Sequence, residues 1–290
     1  MSASATIPRQ IIQTGKSRVL TGAAKAAAAN LSLLHPDWNF LFFDDADVRK
    51  FIAREFPEYE SVFNAFPRNI QRYDFFRYLA VYRLGGFYFD LDVFLWQSLD
   101  SLLEHDSVFT FEELTVNRHL REQHRMDWEL GNYAFGARAD SPFLKAVIEN
   151  CVRAQREPSW VAPMMQGIPR LFRTDLAVLN TTGPGLVTRT FAENPELARD
   201  VKVLFPEDVC DSQQWHHFGT YGVHLMEGSW RDRGGFIRRR LACLWEDRLK
   251  RRLMPESIRL GKTRRTPGLS GAGASGVFSA SSESFQPTVP

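Results

Sequence analysis

The sequence predicts an α/β fold in which a mixed central sheet is flanked by helices. Three observations carry that expectation. Apolar strand-like runs alternate with helical segments through the first part of the chain, Gly85-Gly86 separates a long helical stretch from the run Phe87-Tyr88-Phe89, and that run delivers two carboxylates one residue apart, Asp90 and Asp92.

Ile7 to Gln13 reads as the first strand, with Thr14 and Gly15 turning the chain after it. The alanines between Ala23 and Ala29 favour helix, since alanine loses no side-chain freedom there. Trp38 to Phe43 makes a second strand, and Asp44 or Asp45 can cap a helix running through Phe51 and Ile52. Pro67 suits the start of the next helix, and Gly85 with Gly86 suits its end. Ser107 to Phe111 and Asn132 to Gly136 read as short strands, and Pro142 to Arg156 as a helix. Gly183-Pro184-Gly185 punctuates before another helical run, and Val201 to Trp230 reads as short strands and loops. From Gly235 to Leu253, apolar residues recur at helical spacing among arginines. Beyond about Gly261 the composition turns to Gly, Ser, Thr and Pro, as in disordered tails. The expected organisation is a catalytic domain over 1–230, a basic amphipathic helical extension over 231–260 and a disordered tail over 261–290.

A chain of 290 residues that is 44% hydrophobic can bury a substantial core. Its net charge of +2 conceals a skew: residues 231–265 hold thirteen Lys or Arg against four Asp or Glu, a local +9 that leaves the rest near −7. That segment could dock on anionic lipid, or pack its apolar side on the domain and show arginine to water. Nucleic acid is not expected as a partner, because no recognisable module accompanies the charge. Three scattered cysteines argue against a disulfide framework or a zinc knuckle. The N-terminus lacks a signal-peptide pattern, and no apolar run approaches the roughly 20 residues of a membrane span. The expectation is a cytoplasmic enzyme, with peripheral contact on the inner membrane face an option, and the sequons at Asn30 and Asn180 are read as incidental.

On a helical wheel over Ile70 to Leu84, Arg72 and Arg83 fall on one side. Asp74 and Arg77 fall opposite, on the apolar stripe with Ile70, Val81 and Leu84. An acid and a base three residues apart can form a structural ion pair, or both can point into a ligand pocket beside the acidic strand. In an extended chain Asp90 and Asp92 would project to one side and could share a hard cation such as Mg²⁺ or Mn²⁺. Three functions fit. The pair could hold a cation against the diphosphate of a nucleotide sugar. Asp90 could be the nucleophile of a haloacid-dehalogenase-like phosphatase, with Lys202 and Glu207-Asp208 as loose partners. Or the carboxylates could be a strand-end feature of a non-catalytic binding protein.

The string Arg72-Tyr73-Asp74 through Asp92 resembles the D-x-D region of glycosyltransferase family 32, which includes inositol phosphoceramide mannosyltransferases and bacterial capsule enzymes. Further matches are Ile7-Pro8, His35-Pro36-Asp37-Trp38, Asp44-Asp45, Asn132 with Gly136, Ser141-Pro142-Phe143, Thr182-Gly183-Pro184, and His224 with Gly228-Ser229-Trp230. The resemblance implies a GT-A fold and metal-dependent, configuration-retaining transfer of a hexose from a nucleotide sugar such as GDP-mannose or a UDP-hexose to a glycan or glycolipid. By that resemblance, Asp92 ligates Mn²⁺ or Mg²⁺, Asp90 contacts the donor and helps place the metal, and His224 is a third metal or phosphate contact. Asp74 and Arg77 correspond to donor contacts, Asn132 lies near the reacting sugar, and Ser229 with Trp230 closes over the diphosphate. Gln13 stands where many relatives carry His followed by an aromatic residue.

Overall fold

A computed structural model describes residues 6–226 together with positions 241, 244, 245, 248–250 and 252. In chain order its elements are β1 (Gln10–Thr14), α1 (Gly22–Leu34), β2 (Asn39–Phe43), α2 (Asp45–Glu55), α3 (Glu60–Ala65), α4 (Asn69–Leu84), β3 (Gly86–Phe89), β4 (Val93–Leu95) and β5 (Ser107–Leu114). There follow α5 (Arg118–His124), β6 (Trp128–Ala137), α6 (Pro142–Arg156), α7 (Pro158–Val161), α8 (Arg173–Thr181), α9 (Pro184–Glu193), α10 (Pro195–Ala198), β7 (Val201–Leu204) and β8 (Gly222–His224).

Six strands form one sheet in the order β2-β1-β3-β6-β5-β7, and β4 pairs with β8 in a separate ribbon. β1 runs parallel to β2 and β3, β5 runs parallel to β7, and β6 runs antiparallel between β3 and β5. This is the mixed, helix-flanked sheet that the α/β alternation predicts. Alternation along each strand sends side chains to two faces. Ile12, Tyr88, Phe109 and Phe135 pack with Phe76, Tyr78, Phe143 and Leu186 of α4, α6 and α9, while Ile11, Phe87, Phe89 and Val108 pack with Leu31 of α1, Trp38, Val93 and Leu95. Both faces are therefore covered, which is why these strands read as nearly continuous apolar runs.

Local signals place the elements as expected, with informative differences. Asp44 caps α2 in a reciprocal capping box with Asp47, and Ser141 caps α6 ahead of Pro142. α4 begins at Asn69, two residues past Pro67, with Arg68 at its cap. It ends on Gly85, whose φ of +67° suits glycine and whose N–H donates to Val81 O. A Cβ on Gly86 would lie 2.6 Å from the Gln10 carbonyl, so glycine is what lets the helix-to-strand turn lie against β1. The expected five-residue strand at Asn132 extends to ten residues, since β6 pairs on both edges. Asn30 in its sequon is committed to the backbone, giving and receiving hydrogen bonds with Leu95 at 3.0 and 2.8 Å, and Asn180 is buried. Cys151 is a free, buried thiol.

The described positions at 241, 244, 245, 248–250 and 252 are helical, Trp245 packs against Phe172, and Lys250 pairs with Glu113 at 2.6 Å. The remainder of the 231–260 extension and the 261–290 tail lie outside the described residues. Among the described residues, no helix is long and apolar enough to cross a membrane.

Candidate functional site

Asp90 and Asp92 leave the C-terminal end of β3, near the middle of the sheet. The Asp90 N–H still bonds the Tyr133 carbonyl at 2.8 Å, but the Val93 N–H then bonds back to Asp90 O at 3.3 Å and closes a turn. The extended D-x-D that the sequence predicts is therefore a tight turn between β3 and β4. The carboxylates converge because the chain bends, not because strand pleating aligns them. His224 arrives from β8, where it registers opposite Val93 of β4, and its Nε2 lies 3.3 Å from Asp92 Oδ1. Ligand atoms of Asp90, Asp92 and His224 all fall within 4.8 Å of one another.

Burial would lower the His224 pKa, but the hydrogen bond and charge of Asp92, joined by Asp90 and Glu112, outweigh it and raise the value above that of an ordinary histidine. Its ring stacks on Tyr133 with centroids 4.2 Å apart, and its buried Nδ1 has no hydrogen-bond partner. Two carboxylates and an imidazole are a donor set for a divalent cation of the Mn²⁺ type, with Mg²⁺ served by the oxygens. A cation would also balance carboxylates that are mostly shielded from water, at 28% and 16% side-chain exposure.

Behind this turn lies a buried polar network. Arg77, from α4, is 3% exposed and bridges two acids, lying 3.1 Å from Asp74 Oδ1 and 3.2 Å from Asp90 Oδ1, while its Nη1 donates to Asn132 O at 2.8 Å. Its guanidinium also lies 4.6 Å over the Tyr88 ring. Asp74, equally buried, accepts from Thr182 Oγ1 at 2.8 Å and from Asn132 Nδ2 at 3.2 Å. Asn132 Nδ2 also donates to Tyr78 Oη, and Tyr78 Oη donates to Thr182 O at 2.7 Å. Burial pushes the Asp74 carboxyl up to about 6 against the opposing pull of Arg77. Arg77 stays protonated, because the charges of Asp90, Tyr88 and Asp74 outweigh the burial that opposes it. Of the two arrangements the wheel leaves open, the geometry favours the structural pair, since both Asp74 oxygens are held by protein groups.

Several participants escape sequence reasoning. Tyr88 donates to Asp90 Oδ1 at 2.8 Å, and its position two residues before Asp90 on a strand was the available signal. Thr182 was visible only as part of a turn. Glu112 from β5 contributes charge at His224 and Tyr133. His216, opposite His224 across 6.1 Å, is pushed down to about 4 by burial first and by His224 next. Gln13 is 4% exposed at the end of β1, and its Nε2 has no hydrogen-bond partner. Ser229 and Trp230 lie outside the described residues. Lys202, which a phosphatase would need beside Asp90, is exposed on edge strand β7, separated from β3 in the sheet by β6 and β5.

Residues 24–109 match the family model described as a glycosyltransferase sugar-binding region containing a DXD motif. Inositol phosphoceramide mannosyltransferase 3 of Schizosaccharomyces pombe is 37% identical over 102 residues, which is 35% of this chain and 29% of that protein. Inositol phosphoceramide mannosyltransferase 2 of the same yeast is 40% identical over 103 residues, 36% of this chain and 30% of that protein. The chain thus matches under a third of the length of either relative. Among solved structures, PaToxG glycosyltransferase superposes with a TM-score of 0.41 at 15% identity, covering 67% of this chain and 73% of that one. The UDP-bound glycosyltransferase domain of the YGT toxin does so at 0.45 and 9%, covering 69% and 80%. The acidic turn lies inside residues 24–109, the segment of this chain that is similar to a glycosyltransferase sugar-binding region containing a DXD motif.

Proposed function

We propose that the chain is a metal-dependent hexosyltransferase that moves a sugar from a nucleotide-sugar donor to a glycan or lipid-linked acceptor with retention of configuration. The observation that carries this reading is the convergence of Asp90, Asp92 and His224 on one point at the sheet's C-terminal edge, inside a segment matching a sugar-binding family. In it Asp92, Asp90 and His224 hold Mn²⁺ or Mg²⁺, which when bound offsets the charge that develops on a departing nucleoside diphosphate. Arg77 fixes Asp90, and Asp74, Asn132, Tyr78 and Thr182 fix Arg77, so the acidic turn is held before substrate arrives. Asn132 and Asp74 act in this reading chiefly as positioning residues, and Ser229 with Trp230 would cover the diphosphate.

The mannosyltransferase relatives make GDP-mannose the first donor to test, a UDP-hexose the second, and a phosphoinositol-bearing sphingolipid the first acceptor. A panel of nucleotide sugars incubated with the full chain and Mn²⁺ tests the reading. One donor should be hydrolysed or transferred, and chelation should abolish the turnover. Metal-independent cleavage of a generic phosphate ester would support a phosphatase instead. This reading carries with it the proposal of a cytoplasmic enzyme whose basic segment 231–260 makes peripheral contact with anionic lipid. Flotation on phosphatidylserine vesicles, with and without residues 231–290, should show binding only with the segment.

A further inference from the structure

A second group of metal-ligating side chains shares no residue with the acidic turn. α5 is only seven residues long and fills the connection between β5 and β6. Asn117 closes its start by accepting from the His119 and Leu120 amides, and Arg125 closes its end with φ of +53°. That compact loop brings His119 Nε2 to within 3.3 Å of His124 Nε2, with ring centroids 5.0 Å apart. Glu193, the last residue of α9, puts Oε1 3.8 Å from His124 Nε2. Ligand atoms of all three lie within 4.8 Å of one another.

We infer that His119, His124 and Glu193 form a binding site for a divalent cation of the zinc class, which ties α5 to the end of α9. Tetrahedral zinc with ligands at about 2.0 Å sets neighbouring ligand atoms roughly 3.3 Å apart. The two imidazole nitrogens already stand at that separation, and the Glu193 carboxylate, with Oε1 3.8 Å from His124 Nε2 and ligand atoms of all three residues within 4.8 Å, would have to close inward to join them. Two imidazoles and a carboxylate suit zinc better than magnesium or calcium. Three protein ligands leave a fourth position for water.

The surroundings are those of a supported ligand set. Arg189 Nε donates to Glu193 Oε1 at 2.6 Å, while Arg189 Nη1 donates to Trp160 O at 2.6 Å and the guanidinium lies 3.8 Å over the Trp160 ring. The carboxylate is thereby oriented by a group that is itself fixed, and its second oxygen can turn toward a cation. A metal here would stiffen the loop leading into β6, whose Leu130 N–H is already tied to α9 through Thr188 Oγ1 at 2.9 Å.

The competing arrangement is an N–H···N hydrogen bond between the two rings, which needs no metal. The experiment uses the full chain stripped with EDTA and carrying Asp92→Asn, so that the acidic turn loses a ligand. Titration with ZnCl₂ should show one bound equivalent and raise the unfolding midpoint by about 5 °C at a hundredfold excess over Kd. Co²⁺ should give a visible absorption band of tetrahedral type. His119→Gln or His124→Gln, added singly, should each abolish the midpoint shift and the band while leaving the metal-free midpoint near that of the parent. If either histidine variant fails to fold, Glu193→Gln decides, because its amide oxygen still accepts from Arg189; it should weaken zinc binding at least tenfold and alter the cobalt band. Absence of a zinc-dependent shift in the Asp92→Asn chain overturns the inference. So does a shift that survives in the folded histidine variants, or in Glu193→Gln where that variant decides.

Discussion

Replacing Arg77 with methionine keeps most of the side-chain volume and removes the charge that joins α4 to the acidic turn. The loss comprises two ion pairs at 3.1 and 3.2 Å and the 2.8 Å hydrogen bond to Asn132 O. It leaves Asp74, 3% exposed, with hydrogen bonds from Thr182 and Asn132 and no counter-charge. Breaking a buried pair by removing one partner costs about 3–5 kcal/mol, mostly the penalty of the stranded charge. The penalty should depend on pH. With Arg77 absent, the Asp74 carboxyl rises above its parent value of about 6. A folded-state pKa above the unfolded one means that folding takes up a proton, so the associated stability is present at low pH and lost as pH rises through the folded value. Urea denaturation should therefore show a larger deficit relative to the parent at pH 8 than at pH 5. Adding Asp74→Leu should restore part of the loss, since an apolar pair of similar volume tolerates that burial. A deficit below about 1 kcal/mol, or one equal at pH 5 and 8, would refute the claim that this network is a charged, buried brace.

Three further outcomes follow from the same geometry. In the parent, Asp74 contributes stability that is full below about pH 4 and lost by about pH 6, so Asp74→Asn should flatten that fall in a plot of urea midpoint against pH, and an unchanged slope would count against the assignment. Thr182→Val removes one hydrogen bond to a buried carboxylate at nearly constant shape and should cost about 1.5–3 kcal/mol by chemical denaturation; a neutral result would show that the turn is not coupled to Asp74. Gly136→Ala places a methyl 2.4 Å from the Phe87 ring and should cost about 1–3 kcal/mol through overpacking, read as a lowered unfolding midpoint.

Much of this architecture is legible from residue chemistry. The Ser141-Pro142 start and arginine-rich end of α6, the Asp44 cap and the Gly85-Gly86 turn each satisfy backbone groups locally, so local sequence is enough to place them. The length of β6 is not legible, because strand extent there depends on having a partner on each edge. The same limit applies within the site. The 3.6-residue period puts Asp74 and Arg77 on one stripe, but the partners Thr182 and Asn132 lie 108 and 58 residues away in sequence, and only the fold brings them together. Tyr88 hides in an apolar run because its ring is core while its hydroxyl serves Asp90. The acidic pair reads correctly as a pair and incorrectly as extended chain, because the turn depends on β4 leaving the main sheet to pair with β8.

The central claim is that the acidic turn holds a cation for a nucleoside diphosphate. Isothermal titration of UDP and GDP into the full chain, with and without Mn²⁺, tests it most directly when parent and Asp92→Asn are compared. The account predicts that one diphosphate binds the parent only with Mn²⁺, and that Asp92→Asn weakens this at least tenfold while the metal-free unfolding midpoint stays close to that of the parent. Equal Mn²⁺-dependent affinity in the two proteins would contradict it.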